Sequence, residues 1–321
     1  MKRLQNKIAE SRILLPIAFL YAIGIWVIAL QHNSAAAHHD TTLAIRFPEL
    51  ACFVVSAYLM VELSNSNALL RIRSRMVTAT FLFASCMYVS GFHSILGSLG
   101  QLGFIATIIL LFQTYQNRAA SGKTFYAFFC LAFISLLYVR YLYYVPLLWL
   151  LMFSRLQSYS WRTMTASILG IVTIYWFVSL WHFYNWDFTP LVNHLSDLSI
   201  FVFPANYAAV TIDQWLVYAF LVIISSAGII HFWKYSYEDK IHIRQLYGFF
   251  IAIDLMTLLY IALQPDQFNA FIRIAIICSS PIVAHFLTLT NSRLSNIAFF
   301  VILAACIIIT ITNLWMHFLN F

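Results

Sequence analysis

Charge is what this sequence has least of. Of its 321 residues only 9% are Asp, Glu, Lys or Arg, where a soluble globular chain carries about 25%. So few charged groups cannot cover a water-facing surface of this size, which excludes a soluble domain. No stretch is of low complexity, and no internal repeat points to an inverted-repeat transporter. The five cysteines, Cys52, Cys86, Cys130, Cys278 and Cys306, lie inside apolar runs without paired spacing. They read as small core hydrophobes rather than metal ligands or disulfides. The first apolar run lacks a cleavage motif directly after it, although residues 34–37 come close, so an uncleaved first membrane helix is expected.

What is abundant is hydrocarbon: 62% of residues are hydrophobic and 17% aromatic. The expected fold is all-α, a polytopic membrane protein forming one transmembrane domain over residues 1–321. Apolar runs place eleven spans, at about 13–30, 49–63, 76–93, 96–114, 124–139, 141–154, 164–183, 215–233, 245–263, 270–288 and 296–317. With the amino end in the cytoplasm, 15 of the 18 Lys and Arg fall on the cytoplasmic side, the exceptions being Arg46, Arg140 and Arg273. That asymmetry puts the carboxyl end outside. The net charge of +7 is thus spent on orientation, and no nucleic-acid partner is expected. Pro16, Pro146 and Pro281 read as simple kinks.

The chain is organised around residues 124–184. Two apolar segments too short for an ordinary crossing meet at Arg140, and a basic turn with Arg155 and Arg162 leads into a longer span. The short pair either crosses twice or forms a re-entrant hairpin. Merging it into one helix would put Lys234, Lys240, Arg244 and Arg293 outside, against the charge asymmetry.

Within this stretch stand Tyr143-Tyr144-Val145-Pro146, then Ser160-Trp161-Arg162-Thr163, then Gly170. This text resembles a Bacteroidota inner-membrane family without an assigned activity, over roughly the first two thirds of the chain. Thr163 stands where an acid is common in that family, and Tyr175 close to where a proline is common. More remotely, the layout is similar to the GT-C superfamily of membrane glycosyltransferases. Those enzymes place an acidic residue in the loop after the first span and a basic residue at the outer turn of a short helix pair. Asp40 and Glu49 match the first feature, Arg140 and Pro146 the second, without the adjacent acidic pair often seen there. The resemblance implies a GT-C-like core over residues 1–214 with additional helices over 215–321.

On that reading Asp40, or Glu49 after it, removes a proton from an acceptor hydroxyl, and Arg140 binds the phosphate of a polyprenyl-phosphate carrier. Trp181, Tyr184 and Trp186 could stack on a sugar, and the loop 185–214 would close over the site. Plainer readings stand beside each of these: a helix cap for Asp40, snorkelling for Arg140, an interfacial belt for the aromatics. His38, His39 and Asp40, with His32 or Glu49, could hold a divalent cation; no cofactor is fixed by the sequence. Asp254 lies in the middle of a span, where a carboxylate exposed to lipid costs at least about 2.5 kcal/mol. It serves either as an ion relay or in a structural hydrogen bond, with Tyr247, Thr257 or a group on another span as partner.

Three functions therefore remain open. The first is GT-C-like transfer of a sugar or related group at the periplasmic face. The second is a non-enzymatic subunit of an envelope secretion or assembly complex, with other membrane proteins as partners. The third is an ion-coupled transporter. In all three the chain contacts membrane lipids.

Overall fold

The computed structural model describes residues 4–36, 43–72, 74–201, 203, 205, 207–290 and 293–319. Every regular element among them is helical: α1 (Leu4–Ala9), α2 (Leu14–Ala36), α3 (Leu43–Ser66), α4 (Met76–Met87), α5 (Ile95–Phe112), α6 (Ser121–Ser135), α7 (Tyr144–Ser154), α8 (Trp161–Tyr184), α9 (Thr189–Ser196), α10 (Ile212–Tyr235), α11 (Ile241–Leu263), α12 (Phe268–Leu289) and α13 (Arg293–Leu319), with short 3-10 turns between some of them. Seven of these segments are long and apolar enough to cross a membrane: Phe47–Ser66, Ile95–Phe112, Trp161–Tyr184, Ile212–Glu238, Ile241–Leu263, Pro265–Leu289 and Ser295–Met316. The chain is an all-α, multi-pass membrane protein. Leu14–Ala29, Met76–Met87 and Val139–Ser154 are apolar but shorter. Packing divides the chain into two compact units, one of Met1–Ser98 with Tyr207–Phe321 and the other of Leu99–Asn206.

The first unit is built around α12. From Ala270 to His285 every residue is buried, as expected of a helix apolar all round. It packs against α4, α10 and α11. Lipid is as apolar as leucine, so such helices associate through close packing and hydrogen bonds rather than through escape from water. Pro281 sits mid-helix, and hydroxyls serve the backbone around it. Thr80 Oγ1 donates to the Ser280 carbonyl at 3.0 Å and Ser280 Oγ to that of Ile276 at 2.5 Å. Arg273, expected at a span end, is 5% exposed. It donates to Ser98 Oγ at 3.1 Å and to the Gly91 carbonyl at 2.5 Å, fastening the 3-10 turn Val89–His93.

In the second unit α6 and α8 lie closest, and Gly170 is the reason. A Cβ there would fall 2.6 Å from the Phe125 carbonyl oxygen. The indole of Trp149 on α7 donates to Ser167 Oγ on α8 at 3.0 Å. The Ser160-Trp161-Arg162-Thr163 text proves to be a capping box. Thr163 N donates to Ser160 Oγ at 3.2 Å and Ser160 N to Thr163 Oγ1 at 2.8 Å. An acid at the third position would make the same reciprocal bond, so threonine there preserves the motif's structural role. Pro146 falls in the first turn of α7, where its missing N–H breaks no intrahelical bond.

Candidate functional site

The short helices α6 and α7 are joined by a 3-10 turn, Val139–Tyr143, and Arg140 lies on it. Its half-buried guanidinium donates through one nitrogen, Nη2, to the Ile200 carbonyl at 3.2 Å. Tyr143 is fixed by the same segment: its hydroxyl donates to the Leu198 carbonyl, and its ring stacks on Phe201 with centroids 5.8 Å apart. Residues 198–201 therefore lie on the turn that carries Arg140. His194 on α9 adds a ring-nitrogen contact to the Ser135 carbonyl at 3.1 Å, and Ser135 Oγ meets Tyr175 OH at 2.8 Å.

At the other end of α9 is the aromatic group. Trp181, Tyr184 and Trp186 are 66%, 78% and 82% exposed. The α8 terminus closes in a Schellman arrangement: Asp187 N donates to the His182 carbonyl and Trp186 N to that of Phe183, each at 3.2 Å. This puts Trp186 in the left-handed region at φ 52°, a place usually given to glycine. Asp187 then starts α9 by accepting from Thr189 N at 3.0 Å, and the Thr189 hydroxyl and amide hold its carboxyl below the usual range. Arg140 is thus bonded to the segment that follows α9 and Trp186 stands just before it, α9 itself being about 12 Å long over its eight residues at 1.5 Å each. Val192 and Leu195 on α9 and Phe201 beyond it are exposed, which suits a helix resting at a bilayer interface.

Asp40, His38 and His39 lie outside the described residues, as does the side chain of His32. Among the described residues no group of three or more His, Cys, Asp or Glu could hold a metal ion. Glu49 is on α3, 3% exposed.

Asp254 on α11 is fully buried, and neither carboxylate oxygen has a hydrogen-bond partner among the described residues. Two of the partners expected for it are engaged elsewhere: Tyr247 OH donates to the Leu69 carbonyl at 3.2 Å and Thr257 Oγ1 to that of Ile253 at 2.6 Å. Ser225 of α10 and Cys278 of α12 stand beside the carboxyl, the serine hydroxyl out of hydrogen-bonding geometry.

A polar cluster that sequence reasoning did not assemble joins three distant stretches. Arg71 Nε donates to Asp239 Oδ1 at 2.6 Å, Arg71 also pairs with Glu238, and Asp239 Oδ2 lies 3.0 Å from His285 Nε2. Burial alone would raise the Asp239 carboxyl, but the bonds from His285 and Arg71 outweigh it and hold the group below its usual range. Tyr247 and His231 rings stand 4.9 and 5.5 Å from that of His285. The available signal was a histidine inside an apolar run, which needs a polar partner when buried.

Compared with protein-family models, with curated proteins and with solved structures, the chain matches none.

Proposed function

We propose that this protein is a GT-C-like transferase of the bacterial inner membrane, moving a sugar or related group from a polyprenyl-phosphate donor at the periplasmic face. It crosses the membrane eleven times, the seven long spans joined by four shorter ones, with the amino end in the cytoplasm and the carboxyl end outside. One observation carries the reading: Arg140 stands on a short turn, anchored through a single nitrogen to the Ile200 carbonyl. Guanidinium offers five donors in a planar fork, so this anchorage leaves the others facing an anionic group such as a lipid phosphate. The exposed Trp181, Tyr184 and Trp186 at the far end of α9 supply stacking surfaces for a saccharide. On this reading Asp40 is the base, with Glu49 after it. The test is purification in mild detergent with mass spectrometry of everything retained, on wild type, Arg140→Ala and Arg140→Lys. A polyprenyl-phosphate species lost in Arg140→Ala supports the reading. A stoichiometric protein partner with no carrier lipid replaces it with the assembly-subunit reading.

Asp254 favours a second reading, ion-coupled transport. A buried mid-span carboxyl with no hydrogen-bond partner among the described residues, Ser225 standing beside it out of bonding geometry, suits a group that takes up a proton or cation. Ion-dependent uptake into proteoliposomes, abolished by Asp254→Asn, is the expected result on that reading; uptake unchanged by the substitution removes it.

A further inference from the structure

Helices α2, α4, α12 and α13 of the first unit leave between them a cleft of about 410 Å3 lined almost wholly by hydrocarbon. Ile17 of α2, Ala84 and Met87 of α4, Val283 of α12 and Leu303 of α13 form its walls. Its size falls within the range of ligand pockets, about 300–1,000 Å3. Water gains nothing in such a lining, since it needs polar partners to stay, whereas a hydrocarbon chain matches it.

Ile8 of α1 also lines the cleft. That short helix is held in place by its own glutamine. Gln5 Nε2 donates to Thr290 Oγ1 at 2.9 Å, Gln5 N to Asn296 Oδ1 at 3.1 Å, and Ser295 Oγ donates to Gln5 Oε1 at 3.2 Å.

A second hollow, of about 510 Å3, is bordered by Glu10, Ser11, Arg12, Ser74 and Arg75 among others. The two spaces flank the first turn of α2: Leu14 lines the cleft and Leu15 the hollow, Met76 the cleft and Arg75 the hollow. Ser74 spends its hydroxyl proton on the backbone, while Ser11 accepts a backbone N–H and keeps its proton. Ser11 Oγ accepts from Ile13 N at 3.2 Å, and Ser74 Oγ donates to the Ala9 carbonyl at 2.5 Å. The charged groups at the hollow are Arg12, Arg75 and Glu10; the two guanidinium groups outnumber the carboxylate and, with the Ser11 hydroxyl, favour a phosphate over a neutral group.

We propose that this paired cavity binds an anionic phospholipid, with its phosphate between Arg12 and Arg75 and an acyl chain in the α2–α4–α13 cleft. Charge selects the headgroup and the apolar lining takes the chain; neither space alone would hold the molecule. The site is independent of the transferase reading, since all its residues belong to the first unit and Arg140 to the second.

The test uses full-length protein stripped of lipid in detergent. It is titrated with phosphatidylglycerol, with phosphatidylcholine of the same acyl chains, or with inorganic phosphate, reading the unfolding midpoint and, by native mass spectrometry, the lipid retained. Wild type is compared with R12Q/R75Q and with I17W. Ile17 is 55% exposed, so tryptophan there fills the cleft from its open side without entering packed core. Phosphatidylglycerol is expected to raise the midpoint and to stay bound, while phosphatidylcholine and phosphate do neither. R12Q/R75Q should weaken phosphatidylglycerol binding about thirtyfold, or each single variant about fivefold where the double does not fold. I17W should lose retention with the lipid-free midpoint unchanged. Equal binding of the two lipids, unaltered binding in the arginine variants or in I17W, or inorganic phosphate matching the lipid would each overturn the proposal.

Discussion

Asp239 Oδ2 and His285 Nε2 lie 3.0 Å apart with side chains 1% and 0% exposed. One follows the end of α10 and the other belongs to α12, so the contact ties the turn after one helix to the buried centre of the first unit. Arg71 completes it from a third stretch and is itself 29% exposed, which lets water soften the loss of its partner.

Asp239→Ala should therefore cost about 3 kcal/mol, the lower end for breaking a buried charged pair. Chemical unfolding in detergent measures this. The sign of the pH effect follows from the lowered carboxyl. Stability from Asp239 is fully present above its ordinary pKa of 3.8 and is lost as pH falls through the lower folded value. Wild type and Asp239→Asn should converge only below pH 3.8; convergence near neutrality would show that the carboxylate contributes nothing.

Gly170→Ala should destabilise by about 1–3 kcal/mol, because the added methyl overpacks a seam of α6 and α8 where the obstacle is backbone. Gly122 offers the matched control: a Cβ there meets nothing within 4 Å. Gly122→Ala should gain roughly 0.5–1 kcal/mol from helix propensity. Equal midpoints for the two variants would contradict the close approach at Phe125.

Trp186→Gly removes a side chain from a left-handed backbone position and should stabilise the second unit by about 1 kcal/mol. The same change should lower retention of a lipid-linked saccharide, since the indole is one of the stacking surfaces. A stabilised variant that retains the ligand fully would leave Trp186 as an interfacial belt residue.

Asp254→Leu should raise stability by about 1–3 kcal/mol, the cost of a buried polar group without a partner. Asp254→Asn keeps the shape and removes the titrating group, so ion-coupled uptake separates the two properties. Destabilisation by leucine would mean that the carboxyl holds a structural partner after all.

Much of the helical layout was readable from apolar runs alone, because a membrane span must satisfy its own backbone and is therefore a long uninterrupted helix. The runs around Arg140 also announced their shortness, and the structure gives α6 15 residues and α7 11. The resemblance pointed to Ser160–Thr163 as a motif, yet its capping geometry appears only when both hydrogen bonds are traced. Trp186 was visible as an aromatic near a span end; its left-handed backbone was not, since no residue-type signal marks a tryptophan for a glycine position. The Arg71–Asp239–His285 cluster escaped because it is assembled across 168 and 46 positions of sequence separation. Local pattern carries no information about such pairings.

The complete burial of α12 also bears on biogenesis. Its neighbour α4 is only 12 residues long, too short to cross an average bilayer unaided, and α12 follows about 180 residues later. At ribosomal speeds of about 5–20 residues per second, α4 waits on the order of ten to forty seconds for the helix that shields it. A chain arrested before Phe268 would lack the helix against which α4, α10 and α11 pack.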